Sequence, residues 1–202
     1  SIPGAKDKKV IKISLQLPGE HNVLNAAAAF AAADQIGLDR QRTIEAIGDF
    51  KGSKRRFEIR GEYGGICLID DYAHHPTEIK TTLKAAREVF PDRRILGLWQ
   101  PHTFSRTKTL FSDFTKAFTE ADVIIVMDVY AAREIEPDGF SLSELVSKIE
   151  GVEAVHISGK SQAANYLKEY LTAGDVLLIF SAGDAIEIND ALEEFYSGQV
   201  NH

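Results

Sequence analysis

Hydrophobic and polar positions change period along this chain. In Val10-Ile11-Lys12-Ile13-Ser14-Leu15-Gln16-Leu17 they alternate, with Ile11, Ile13, Leu15 and Leu17 on one face. That pattern predicts a half-buried strand. Pro18-Gly19 breaks it, and the alanine-rich run from Glu20 to Ala33 predicts a strong helix ended by Gly37. Asp39 caps a second helix through Ile47. After Glu58 short apolar runs come at regular intervals: Glu58–Glu62, Gly65–Ile69, Ile95–Trp99, Val123–Met127, Val152–Ile157 and Val176–Phe180. Between them lie segments with helical spacing. Pro76–Phe90 puts Ile79, Leu83 and Ala86 on one side. Further helices are expected around Leu110–Phe118, after the capping box Ser141-Leu142-Ser143-Glu144, over Ser161–Leu171, and up to Tyr196.

Strands alternating with helices of this length specify a mainly parallel sheet covered by helices on both faces. Right-handed crossovers bring the loops that follow the strands to one edge. Those loops are Asp70–Pro76, Gln100–Thr107, Asp128–Gly139 and Ser181–Asp184, the polar loops of this half of the chain. The first changes abruptly from the apolar Ile66–Ile69 to Asp70-Asp71-Tyr72-Ala73-His74-His75, and Pro76 then suits a first helical position. Titratable residues bunched between a strand end and a helix start are a common ligand-site layout in such folds. A capped, solvated loop is the plain alternative.

Charge narrows the partners. Across 202 residues the net charge is -7, which argues against a general phosphate-backbone binder and hence against nucleic acid. Small anions stay possible, since a few cations or helix N-termini suffice for them. Cys67 is the one cysteine, so no internal disulfide can form, and a reducing cytoplasm is the simple reading. No apolar run reaches membrane-spanning length, and Ser1–Asp7 has no signal-peptide core. A start without Met, directly before a strand-like pattern, fits a piece of something longer.

The chemistry on offer is of several kinds. Lys54, Arg55 and Arg56 are the densest cation cluster, either a solvated junction or an anion clamp. His102, Ser105, Arg106 and Thr107 open a helix and combine hydroxyls, a guanidinium and free N–H groups into an anion site, unless Ser105 simply caps. Asp71 with His74 could be an orienting or acid–base pair. A Ser105–His74–Asp71 hydrolase can be drawn, but no Gly-x-Ser-x-Gly elbow accompanies it. Two histidines with an aspartate could hold a metal, although no further spacing supports one. Neither a Gly-x-x-x-x-Gly-Lys-Ser/Thr loop nor a Gly-x-Gly-x-x-Gly fingerprint is present. Any ATP phosphate cradle is therefore not on this chain.

Taken together, Gly19-Glu20-His21-Asn22-Val23-Leu24-Asn25, Lys54-Arg55-Arg56-Phe57, Asp70–Glu78 and Gln100-Pro101-His102-Thr103-Phe104-Ser105-Arg106-Thr107 resemble the Mur ligases. Within them the likeness is to the branch that adds L-alanine to UDP-N-acetylmuramate. Tyr130–Glu134 and Ala182-Gly183-Asp184 also fit. The resemblance implies a cytoplasmic, ATP-dependent ligase of peptidoglycan synthesis that works through an acyl phosphate. Residues 1–53 would be a small α+β end of the central ATPase domain, and 54–202 a Rossmann-like C-terminal domain. The first domain and most of the central one, with the Mg2+ ligands, would lie upstream.

Residue by residue, the resemblance implies adenine contacts from His21, Asn22 and Asn25. The catalytic groups would be Arg56 at the phosphates, Asp71 fixing the nucleotide, and His74. Tyr72, His102 and Arg106 would face the alanine. No metal ligand is expected here. Thr103 stands where some relatives carry Arg, so no charge role is assigned to it. A recycling ligase that adds a preformed tripeptide, and a non-catalytic nucleotide- or partner-binding domain, are the alternatives.

Overall fold

The computed structural model describes residues 10–199. The stretch Ser1–Asp7 lies outside them. The chain divides between Lys51 and Gly52 into two compact units.

In the first unit, α1 (Glu20–Gln35) packs on α2 (Arg40–Asp49). Asp39 caps α2 as expected, accepting from the Arg42 N–H at 2.9 Å. Gly37 takes a positive φ, and the Leu38 N–H closes onto the Ala33 carbonyl at 3.0 Å. The strand expected over Val10–Leu17 is not formed. Ile13, Leu15 and Leu17 are half-buried while Lys12, Ser14 and Gln16 are exposed, so the alternation is real. A ladder needs a neighbour to pair with, and no strand of this unit runs alongside among the described residues. Among its described residues the unit is therefore helical, without the strand of the expected α+β piece.

The second unit is a six-stranded sheet in the order β1-β2-β6-β3-β4-β5. Its strands are β1 (Glu58–Tyr63), β2 (Ile66–Asp71), β3 (Ile95–Trp99), β4 (Val123–Val126), β5 (Glu153–His156) and β6 (Val176–Phe180). Only β1 is antiparallel, turning into β2 through Gly64 and Gly65, both at positive φ. The remaining neighbours pair parallel.

Period two sorts each strand between two cores. Cys67, Ile69, Ile95, Trp99, Leu178 and Phe180 face α3 (Pro76–Val89), α5 (Phe111–Phe114) and α6 (Leu142–Ser147). Ile66, Leu68, Leu96, Leu98, Leu177 and Ile179 face α7 (Lys160–Tyr170) and α8 (Glu187–Gln199). Gly97 shows how tight the first core is. A Cβ there would lie 2.5 Å from Ile124 Cδ1.

One helix begins earlier than its pattern suggests. α4 (Phe104–Thr109) starts inside the expected loop and breaks at Leu110 before α5. Its cap comes from Glu134, far away in sequence, where no local signal could show it. The ends of β2, β3, β4 and β6 share one edge, with β6 inserted between β2 and β3. The first turns of α3 and α4 meet there.

Candidate functional site

The two carboxylates that end β2 have different work. Asp70 is 1% exposed, bonded to Arg60 at 2.9 Å and to Asn189 at 2.7 Å. Burial pushes its pKa up more than Arg60 and Asn189 pull it down. Asp71 is 6% exposed and accepts from two backbone N–H groups, Phe57 and Ala73, each at 2.8 Å. Burial raises its pKa too, opposed by those two donors and by the nearby Arg56 charge. Asp71 thus pins the Arg55–Phe57 turn to the end of β2. Arg55 and Phe57 both sit at left-handed φ, 58° and 48°, a strained pair with exposed Arg56 between them. Among the described residues no side chain pairs with the Arg56 guanidinium.

The Asp71–His74 pair is not formed: Asp71 bonds the Phe57 and Ala73 N–H groups and His74 turns elsewhere. His74 Nδ1 instead lies 2.9 Å from the Tyr72 carbonyl. A carbonyl can only accept, so His74 carries a proton on Nδ1, and whenever the ring is neutral its lone pair is on Nε2. His75 is spent on structure. It is the N-cap of α3, accepting from the Thr77 N–H at 3.3 Å while Glu78 accepts from the N–H groups of His74 and His75. The capped-loop reading thus holds for one imidazole, and the other stays available.

On β3's loop the tautomer is reversed. Arg106 donates to His102 Nδ1 at 3.1 Å and to the His102 carbonyl at 2.6 Å. Nδ1 therefore accepts and the neutral ring keeps its proton on Nε2. Burial, then the Arg106 and His74 charges, hold the His102 pKa below its ordinary value, which favours that neutral ring. Rings from three loops line up. Tyr72 meets His74 edge-on at 5.4 Å, His74 lies 6.0 Å from His102, and His102 stacks on Tyr130 at 5.5 Å and 10°. With both rings neutral, the two imidazoles are opposite tautomers, His74 offering a lone pair and His102 an N–H, with the Arg106 guanidinium beside them.

The anion site expected at the start of α4 is filled by the chain itself. Glu134 accepts from Thr103 Oγ1 at 2.6 Å, Ser105 N–H at 2.8 Å and Ser105 Oγ at 2.5 Å. Those bonds, the hydroxyls above all, lower its pKa to about 2. Ser105 is therefore committed, and the Ser105–His74–Asp71 triad is not formed. Thr107 is buried and bonds back to the Thr103 carbonyl.

Arg55 was the member of the cation cluster that sequence reasoning passed over. It donates to the carbonyls of Ser181 at 2.6 Å and Gly183 at 3.2 Å, and lies 4.9 Å over the Tyr72 ring. The two carbonyl partners are more than a hundred residues away, so only its place in the Lys-Arg-Arg run marked it.

In the first unit His21, Asn22 and Asn25 occupy the first turns of α1. His21 and Asn25, four apart, share a face. The Asn22 amide donates to the Pro18 carbonyl at 2.7 Å, and His21 Nδ1 is buried without a partner. Among the described residues no three His, Cys, Asp or Glu side chains come together as metal ligands.

The sequence model of the Mur ligase glutamate ligase domain matches residues 55–183, well over half of the chain. This chain belongs to the Mur ligase family. A UDP-N-acetylmuramate–L-alanine ligase of Clostridium kluyveri is 44% identical over 186 residues, covering 91% of this chain and 40% of that protein. One from Caldanaerobacter subterraneus is 41% identical over 191 residues, 94% of this chain and 41% of that protein. Among solved structures, the UDP-N-acetylmuramate-alanine ligase of Thermotoga maritima aligns with a TM-score of 0.80 at 32% identity, covering 95% of this chain and 41% of that one. A murein peptide ligase from Psychrobacter arcticus aligns with 0.68 at 28%, covering 93% and 39%. The chain thus spans about two fifths of the length of the relatives it matches. Its second unit carries the Mur ligase C-terminal fold, a mostly parallel α/β sheet.

Proposed function

We propose that this chain is the C-terminal part of an ATP-dependent ligase that joins L-alanine to UDP-N-acetylmuramate in peptidoglycan synthesis. The carrying observation is the pair of neighbouring imidazoles in opposite tautomers beside Arg106. Free L-alanine presents an ammonium and a carboxylate. His102 Nε2–H and Arg106 suit the carboxylate, and the His74 Nε2 lone pair suits the amine and the proton it loses on attack. Tyr72 closes the apolar side of that space. The names of the relatives supply the same substrates.

In this reading the sugar carboxylate attacks the γ-phosphorus of ATP, ADP leaves, and an acyl phosphate remains. The alanine nitrogen then attacks that carbonyl, and phosphate leaves. Arg56, held between two strained residues and without a side-chain partner among the described residues, offsets charge at the phosphates. Asp71 acts by holding the Arg56 turn. His21, Asn22 and Asn25 serve the adenine side, from the end of the central ATPase domain. The family resemblance assigns the Mg2+ ligands to the part of the protein upstream of these residues, where the ion would offset charge between carboxylate and triphosphate. No helix of the described chain is long and apolar enough to cross a membrane, and the reading places the enzyme in the cytoplasm.

The test is Arg106→Lys in the full-length protein. Both Arg106 bonds come from Nη1, so its other nitrogens stay free for a carboxylate, whereas a Lys ammonium spent on the His102 ring and carbonyl has no second nitrogen to offer. KM for L-alanine should rise on the order of tenfold or more, with KM for ATP within about twofold. An unchanged KM for alanine contradicts the placement. Dependence on a tripeptide rather than alanine supports the murein peptide ligase reading instead.

A further inference from the structure

The ring row does not end at the groups assigned above. At one end the Arg55 guanidinium covers Tyr72, and at the other Tyr130 stacks on His102. Backbone fixes both ends. The Tyr72 N–H donates to the Arg55 carbonyl at 2.6 Å, and the Tyr130 N–H to Pro101 at 2.8 Å, beside a parallel bridge between His102 and Tyr130. The two ends then meet at one residue after β6. Gly183 accepts from Arg55 at 3.2 Å. A Cβ on Gly183 would lie 2.7 Å from the Tyr130 ring and 2.6 Å from Gln100 Oε1. Its φ lies outside the left-handed range, so what excludes a side chain there is space alone. Gln100, 5% exposed, cannot easily yield, because it accepts from Ser181 Oγ and the Ala185 N–H and donates to Asp184.

We propose that Gly183 and Tyr130 are positioning residues, and that Arg55, Tyr72, His74, His102, Tyr130 and Gly183 form one closed ring of contacts that sets His102 and Tyr72 for the amino-acid substrate. The substrate assignment rests on the function proposed above; the ring rests on geometry alone. Tyr130 is 37% exposed, so its substitution leaves the core intact. Tyr130→Leu removes the stack. Gly183→Ala displaces the Tyr130 ring without removing it. Both changes should therefore converge on His102.

Two measurements on the full-length protein separate the claims. In the first, KM for L-alanine rises on the order of tenfold for Tyr130→Leu and for Gly183→Ala, while KM for ATP stays within about twofold. The double variant rises by about the same factor as either single one, because both act on one contact, and Tyr130→Phe behaves as the parent. A multiplicative double variant, or unchanged values for alanine, overturns the proposal. The second needs no turnover. Carbethoxylation of His102 by diethyl pyrocarbonate, followed by peptide mass spectrometry, should be several-fold faster in Tyr130→Leu and Gly183→Ala than in the parent and Tyr130→Phe. Equal rates overturn the ring whatever the substrate. Faster labelling with no alanine dependence in the parent keeps the ring and rejects the function.

Discussion

Asp71→Asn is the most informative single change, because the site predicts both its cost and its consequence. The buried Asp71 carboxylate accepts two backbone N–H groups at 2.8 Å, one on each oxygen. Asn has one carbonyl oxygen, so one bond survives. The other N–H would face an NH2 group and be left unpaired in a buried place. A buried unsatisfied donor costs about 1–3 kcal/mol, and the lost bond was to a charged acceptor, so about 2 kcal/mol is expected. If the lost partner is Phe57, the left-handed Arg55 and Phe57 can relax and Arg56 loses its place. Turnover of the full-length enzyme should then fall as well. Urea unfolding of the 202-residue chain gives the first number, read through Trp99, its one tryptophan. Trp99 is buried against Phe114 at 4.5 Å and so reports this unit. Arg56→Ala is the control. It is exposed and holds nothing, so stability should move by less than about 0.5 kcal/mol while turnover drops. If Asp71→Asn unfolds with the parent, or Arg56→Ala loses as much stability as Asp71→Asn, the division of labour drawn here is wrong.

Further expectations concern other parts of the unit. Glu134 has its pKa lowered from 4.5 to about 2, so its contribution is present above 4.5 and lost as pH falls toward 2. Thermal unfolding between those limits should be flatter for Glu134→Gln than for the parent; parallel curves would refute the capping role. The His102 pKa lies below its ordinary 6.5, so the unfolded chain binds that proton first and stability drops as pH falls below 6.5. His102→Gln should remove that component of the curve. Gly97→Ala should cost about 1–3 kcal/mol through crowding at Ile124, and Ile124→Val in the same chain should recover part of it; additive losses would show that the clash is elsewhere. Lacking a phosphate loop in its sequence, the 202-residue chain should hydrolyse no ATP, which a phosphate-release assay checks directly.

The second unit was largely legible because four of its strands, β2, β3, β4 and β6, are buried on both faces and read as short apolar runs between turn signals. Asp39, Ser141 and Pro76 marked helix starts through local chemistry, and each sits where that chemistry places it. What failed depended on distant partners. Val10–Leu17 keeps a strand's alternation but has no neighbour among the described residues, and pairing cannot be read from one segment. α4 takes its cap from Glu134, thirty-one residues beyond Thr103, so nothing local fixed where that helix starts. Within the site, residue type drew attention to the right loops but did not divide the work inside them. Asp71 and His74 look like a pair until the Phe57 and Ala73 N–H groups claim the carboxylate. His74 and His75 look alike until one caps a helix. Arg55 and Arg56 are neighbours of the same kind, yet a left-handed turn sends one inward to Ser181 and leaves the other exposed.

The most direct test of the central claim is ADP release by the full-length protein, measured with each substrate omitted in turn. The account predicts sustained release, many ADP per enzyme, only when ATP, UDP-N-acetylmuramate and L-alanine are all present, with one UDP-N-acetylmuramoyl-alanine formed per ADP; without alanine, release stops at no more than one ADP per enzyme, when the acyl phosphate has formed. Sustained release that ignores alanine, or that requires a tripeptide in its place, would contradict it.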